Sequence, residues 1–170
     1  MAEITKSIEV EVPVTVVYNQ WTQFERFPQF MEGVKAVRQI DDRTLWWRAE
    51  VAGREVEWTA AITHQEPDRI IAWHSTSGEN NAGVVTFEPL GPTRTRVSLK
   101  VEYQPEGALE KLGSAIGIVS ARVEGDLGRF RDYIETLGIA TGGWRGEIHG
   151  ARIDPAAGGE RAAGEDGARP

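Results

Sequence analysis

Residues able to do chemistry are sparse in this sequence, and their spacing excludes more than it offers. Cysteine is absent, and histidine occurs only at His64, His74 and His149. Without sulfur there is no thiolate nucleophile, no thiolate metal cage and no disulfide framework. The histidines lack metal-ligand spacing, so neither a metal centre nor a cofactor is expected. No G-x-S-x-G, no G-x-x-x-x-G-K-[ST] and no strand-following G-x-G-x-x-G occurs, which removes the nucleophile elbow, the phosphate-cradling loop and the dinucleotide fingerprint. The carboxylates of EVAGREVEW (Glu50, Glu55 and Glu57) fall on one side of a hairpin and read as solvated charge. They do not make a general acid and base. What the chain has instead is tryptophan, six in all.

Two periods define the elements that must position these residues. Ile4, Lys6, Ile8, Val10 and Val12 alternate with Thr5, Ser7, Glu9 and Glu11, the mark of a half-buried strand. Pro13 suits a helix start, and Val17, Trp21 and Phe24 recur at helical spacing before Pro28 sets off a second short helical piece. Strands are predicted at about 34–40, 44–51, 54–64, 69–76, 83–89 and 94–103. Turn signals at Asp41-Asp42, Ala52-Gly53, Pro67-Asp68, Ser77-Gly78 and Gly91-Pro92 separate them. Such short connections make an antiparallel meander. From about 107 to 137, Leu109, Leu112, Ile116, Val119 and Val123 begin an apolar stripe with steps of three and four that runs to Leu137. The expected fold is α+β: a curved seven-stranded antiparallel sheet wrapped around a long C-terminal helix, with two short helices after the first strand. A sheet roughly 30 Å wide, at about 4.8 Å per strand, must curl around one helix only about 10–12 Å across. A cavity is the natural remainder.

Composition bounds the rest. The chain has 170 residues, 19 Lys+Arg against 26 Asp+Glu, a formal charge of −7 and 40% hydrophobic residues. An acidic balance argues against nucleic acid as a partner. No run of about 18 apolar residues predicts a transmembrane segment, and the start MAEITKSIEVEVP lacks the apolar core of a signal peptide, so the cytoplasm is the expected compartment. Glycine crowds into residues 138–170, where Trp144 is the one aromatic. A ligand-binding domain over 1–137 and a flexible tail over 138–170 are therefore expected. Trp144 and Arg145, in GGWRGEIHG, would be either a short extension packed on the domain or a recognition peptide for a groove of this protein or of a partner.

Strand parity turns Trp47, Trp58 and Trp73 inward. They either fill the core or line an apolar slot that binds by shape and stacking. Val85, Phe87 and Tyr103 share that side, as does Ser75, with Leu112, Ile116 and Val119 facing them from the helix. The other inward polar candidates are Arg54 and His64 at the ends of one strand and Asn19 on the first helix, whereas His74 faces out. On the closing helix, Gly113, Gly117, Gly125 and Gly128 lie opposite the apolar stripe, each costing about 0.5–1 kcal/mol relative to alanine. They are either tolerated there or form a stripe where a second copy or a partner docks.

Four features carry a family resemblance: VEVPVTVVYNQWTQFERFPQFMEGV, DRIIAWHSTSG, AGVVTFEPLGPTRTRVSLKVEY and the long closing helix. With them, roughly residues 3–137 resemble the START-type superfamily, and within it the bacterial polyketide cyclase/dehydrase (SRPBCC) group with its coenzyme Q-binding START-like members. GGWRGEIHG resembles a segment that some relatives carry after that helix. The resemblance implies a helix-grip fold with a deep hydrophobic cavity between sheet and last helix, and ligands that are lipids, quinones or polyketides. Cyclase chemistry would need a base for a carbon acid and a donor for the oxyanion, and no local motif fixes such a set. The expected function is binding of a hydrophobic small molecule without catalysis. The alternatives are a polyketide cyclase/dehydratase acting on a poly-β-ketone, and an interaction module working through the glycine stripe and the tail.

Overall fold

Alternation sets the first strand. β1 (Ala2–Val10) buries Ile4 and Val10, leaves Glu3, Thr5, Ser7 and Glu9 exposed, and runs antiparallel to the last strand of the meander. The structure, a computed structural model, describes residues 2–104 and 112–155, the side chains of residue 2 and residues 112–115 excepted. Pro13, at φ −60°, precedes α1 (Val14–Trp21), and the Thr22 hydroxyl donates to the Asn19 carbonyl at 2.6 Å where that helix ends. A 3-10 helix (Phe24–Gln29) containing Pro28 follows. Between them these two short helices bury Trp21, Phe24 and Phe27, and the Trp21 ring meets Phe27 and Phe130 edge-on at 5.4 and 4.9 Å.

The meander is β2 (Val34–Gln39), β3 (Thr44–Val51), β4 (Arg54–Glu66), β5 (Ile70–Gly78), β6 (Asn80–Gly91) and β7 (Arg94–Gln104). Each strand pairs antiparallel with the next, and β1 joins at the β7 edge, giving the order β1-β7-β6-β5-β4-β3-β2. Register shifts between β2 and β3, twice between β4 and β5, and between β6 and β7 add the local bends that curl a sheet. Against the concave side lies α2 (Leu112–Leu137), burying Val123, Leu127, Phe130 and Ile134. The start of the expected helix, with Leu109, lies outside the described residues. No helix among those described is long and apolar enough to cross a membrane.

A boundary at 137, with flexible chain beyond it, is not what the structure has for residues 138–155. Gly138, at φ +70°, ends α2 with its N–H on the Ile134 carbonyl at 2.8 Å. The chain then returns across α1. The Thr141 N–H donates to Gln20 Oε1 at 2.7 Å, and the Trp144 N–H donates to Thr22 Oγ1 at 3.1 Å. Next, β8 (Glu147–His149) adds to β4, and β9 (Arg152–Asp154) adds to β8, so the sheet has nine strands rather than seven. Mean composition misjudges this strap because two side chains anchor it: Trp144 and Ile148 are buried in the main core. Its glycines serve close approach. A Cβ on Gly143 would meet the Asn19 side chain at 2.7 Å, and one on Gly146 would meet the Trp144 ring at 2.5 Å.

Candidate functional site

Between the concave sheet and α2 lies a cavity of about 200 Å³. A single water needs only about 10–15 Å³, so this is far more than a packing fault. Trp47 and Trp58 are direct cross-strand partners on β3 and β4, and their rings stack at 5.5 Å and 10° in the cavity wall. Both indole N–H groups are buried without an acceptor among the described residues. Trp73, on β5, faces Gly83 of β6 in register, and a Cβ there would sit 2.4 Å from the indole. Glycine at 83 therefore makes the room in which Trp73 lies flat. Leu99 and Val101 add apolar lining from the sheet, Phe24 and Phe27 from the 3-10 helix, and Val119, Val123 and Leu127 from α2.

One end of the cavity is polar. Gly78, at φ +81°, turns the chain between β5 and β6 where a Cβ would strike the Glu57 carbonyl at 2.2 Å. The turn tucks Glu79 inward until its side chain is 2% exposed. Its Oε2 accepts the Tyr103 hydroxyl at 2.7 Å and Arg54 Nη2 at 3.2 Å. Asn81 beside it donates to the Glu79 carbonyl at 3.1 Å and accepts Trp73 Nε1–H at 3.1 Å. Glu79, Asn81 and Tyr103 all line the cavity. Burial, and then the Glu79 carboxylate, push the Tyr103 phenol well above its ordinary pKa, so it stays a hydrogen-bond donor. A second polar point lies on α2. Asp126 Oδ1 accepts the Glu32 N–H at 3.0 Å and Arg129 Nη2 at 2.5 Å. Burial raises this carboxyl above its usual value, opposed by Arg129 and the Glu32 N–H.

Of the residues expected at the site, Trp47, Trp58, Trp73, Tyr103 and Val119 line the cavity. Val85 and Phe87 share the concave side but lie in solid core: Phe87 packs edge-on against Tyr18 and Trp21 at 5.2 and 6.1 Å, so α1 fills the space above them. Ser75 stands back from the cavity, its Oγ accepting the Asn81 N–H at 3.1 Å. Ile116 is half-buried against the core and off the cavity wall. The Leu112 side chain and the surroundings of Gly113 lie outside the described residues. Asn19 does not face the cavity, because Arg145 of the strap takes its Oδ1 at 2.6 Å. His64 lies off the cavity too, in the pairing of β4 with β8. Gly117 and Gly128 face open space, while Gly125 sits under the Arg129 guanidinium.

Sequence reasoning missed Glu79, Asn81 and Asp126. An acidic residue after Ser77-Gly78 reads as a surface turn, and the left-handed Gly78 was the one signal that the chain folds back there. Asp126 sits one residue from Leu127 and reads as helix surface until Glu32 is brought over it. The expectation that no titratable pair converges is thereby revised: a carboxylate and a phenol share one end of the cavity.

Comparison with known proteins adds the family. A family model described as polyketide cyclase / dehydrase and lipid transport matches residues 10–131. A relative in Streptomyces lincolnensis, named only as an uncharacterized 17.2 kDa protein in the melC2-rnhH intergenic region, is 46% identical over 149 residues, 87% of this chain and 99% of its own. Among solved structures, a START superfamily protein from Mycobacterium smegmatis superposes with a TM-score of 0.67 at 16% identity, covering 79% of this chain and 98% of that one. The Zhui aromatase/cyclase from Streptomyces sp. R1128 gives a TM-score of 0.71 at 16% identity, covering 84% and 98%. At such identities the structural matches speak for the fold, and the family match speaks for descent. With the sheet curled about α2, the cavity between them and most of its length matched, the chain belongs to the polyketide cyclase/dehydrase and lipid transport family and has a helix-grip fold.

Proposed function

We infer that the chain binds a hydrophobic small molecule carrying an oxygen group, of lipid, quinone or polyketide type, in this cavity, with the cytoplasm as the compartment. The observation that carries the reading is an apolar cavity walled by Trp47, Trp58 and Trp73 and polar chiefly at the Glu79–Tyr103–Asn81 end. An apolar body would lie against the indoles, and a carbonyl or hydroxyl would meet Tyr103 or Asn81. The START superfamily neighbour fits this reading. Its test is native mass spectrometry of the full chain after mild purification, followed by titration with a naphthoquinone and with a long-chain fatty acid, read by tryptophan fluorescence. Saturable quenching by either is expected. Failure to carry or load any apolar compound overturns the reading.

A second reading, turnover of a poly-β-ketone, is favoured by the 2.7 Å contact of the Glu79 carboxylate with the Tyr103 hydroxyl in the cavity wall. Glu79 would take a proton from a methylene between two carbonyls. The carbanion would bond to another carbonyl carbon of the same chain, whose oxygen would be protonated, and loss of water would follow. Tyr103, held protonated, is suited to donate to the developing oxyanion. The neighbour named an aromatase/cyclase fits this reading. Glu79→Gln should then abolish product while leaving ligand quenching in place; equal loss of both would leave Glu79 a binding residue.

A further inference from the structure

Away from the cavity, the strap creates a constellation that local spacing hides. In the antiparallel pairing of β4 with β8, His64 and His149 are direct partners, so their side chains share one face of the sheet. Their rings meet edge-on with centroids 5.1 Å apart. Two residues along β4, on the same face by strand period, Glu66 brings Oε2 to 2.5 Å from His64 Nε2. Ligand atoms of His64, Glu66 and His149 all lie within 4.8 Å of one another. The three side chains are 36%, 26% and 31% exposed, open enough for an ion to enter.

We propose that His64, Glu66 and His149 form a binding site for a divalent transition-metal ion of the zinc type, which would clip the C-terminal strap to β4. Two imidazoles and one carboxylate are borderline donors that suit zinc and its neighbours, whereas magnesium and calcium call for oxygen alone. Donor-to-metal distances of about 2.0–2.2 Å would draw the three side chains together by small rotations and leave a fourth position for water. Arg69 supports the geometry: its Nε donates to Glu66 Oε1 at 2.8 Å, fixing the carboxylate so that Oε2 faces the imidazoles. Its Nη2, 2.7 Å from Oε2, is the group a metal would displace. Glu147 Oε1, 2.9 Å from His149 Nε2, is a competitor for the second imidazole. The histidines are 85 positions apart in the chain (149 − 64), which is why their sequence spacing suggested no centre. The register, not the local sequence, pairs them.

The test uses the full chain, stripped with chelator and titrated with zinc chloride by calorimetry, with melting followed in parallel. One saturable site per chain is expected, with a rise in melting temperature and no response to magnesium at the same concentration. His64→Ala and His149→Ala should each weaken zinc binding at least tenfold, with folding checked by circular dichroism. His74→Ala, altering an exposed histidine elsewhere on the sheet, should leave it unchanged. Absence of saturable uptake at one site, or uptake undiminished in both alanine variants, overturns the proposal.

Discussion

Replacing Trp144 with alanine asks whether the strap belongs to the folded core. The indole is 5% exposed and lies in the same core cluster as Trp21, Phe87 and Phe130. A buried tryptophan takes about 150–250 Å² out of water, and at about 25 cal/mol per Å² that is about 4–6 kcal/mol. Measured Trp→Ala losses of about 3–5 kcal/mol are of the same size. The backbone bond from the Trp144 N–H to Thr22 Oγ1 survives the substitution, so the loss is what the indole itself contributes. For a domain of this length each kcal/mol moves the melting temperature by about 2–4 °C, so Trp144→Ala should melt about 6–20 °C below wild type. Thermal unfolding followed by circular dichroism, with urea midpoints as a second measure, reads this directly. Ending the chain after residue 137 removes β8 and β9 as well and should cost at least as much. A Trp144→Ala midpoint within 2 °C of wild type would refute the reasoning and leave the strap a dispensable cover.

Gly83→Ala should destabilise by about 1–3 kcal/mol and shift the tryptophan emission, because the new Cβ would press on the Trp73 ring and on the Lys100 carbonyl. Glu66 is held at about 2, below its usual 4.5, first by Arg69 and then by His64. A depressed carboxylate stabilises fully above the unfolded value and loses that contribution as pH falls toward the folded one. The stability gap between wild type and Glu66→Gln, taken from urea midpoints, should therefore shrink as pH falls from about 4.5 toward 2. Gly117→Ala, which meets nothing within 4 Å, should stabilise the helix by about 0.5–1 kcal/mol with an unchanged elution volume on size exclusion. A changed elution volume would instead mark the glycine stripe as a docking face.

Much of this molecule is legible in its sequence because most of its order is local. The period-two runs place β3 at Thr44–Val51, as expected from residue spacing alone, and the inward parity of Trp47, Trp58, Trp73 and Tyr103 carries straight through to the cavity wall. Parity tells which face a side chain takes but not what covers it. Val85 and Phe87 thus share the concave side with the tryptophans and yet lie beneath α1. Long-range facts were out of reach. The burial of Glu79 depends on a left-handed glycine and a phenol 24 positions away in the chain, and Asp126 depends on the Glu32 N–H. Average composition points to a flexible strap, whereas Trp144 and Ile148, buried in the core, hold this segment on the domain, as the alternative of a packed extension has it.

The strand order also bears on how the chain assembles. Strands β2 to β7 pair with their sequence neighbours and can form hairpin by hairpin, but β1 pairs only with β7, from Ala2 against Tyr103 to Val10 against Thr95. Closing so long a loop is slow, and it comes after the local pairings that prepare its partner. During synthesis the N-terminal strand therefore waits, unpaired, until some hundred residues have followed it, and the free β7 edge is where a nascent chain is most open to wrong partners. Lys6 on β1 and Lys100 on β7, which pair with Glu124 and Glu3 in the folded chain, are the kind of charge on an edge strand that discourages such pairing until the native strand arrives.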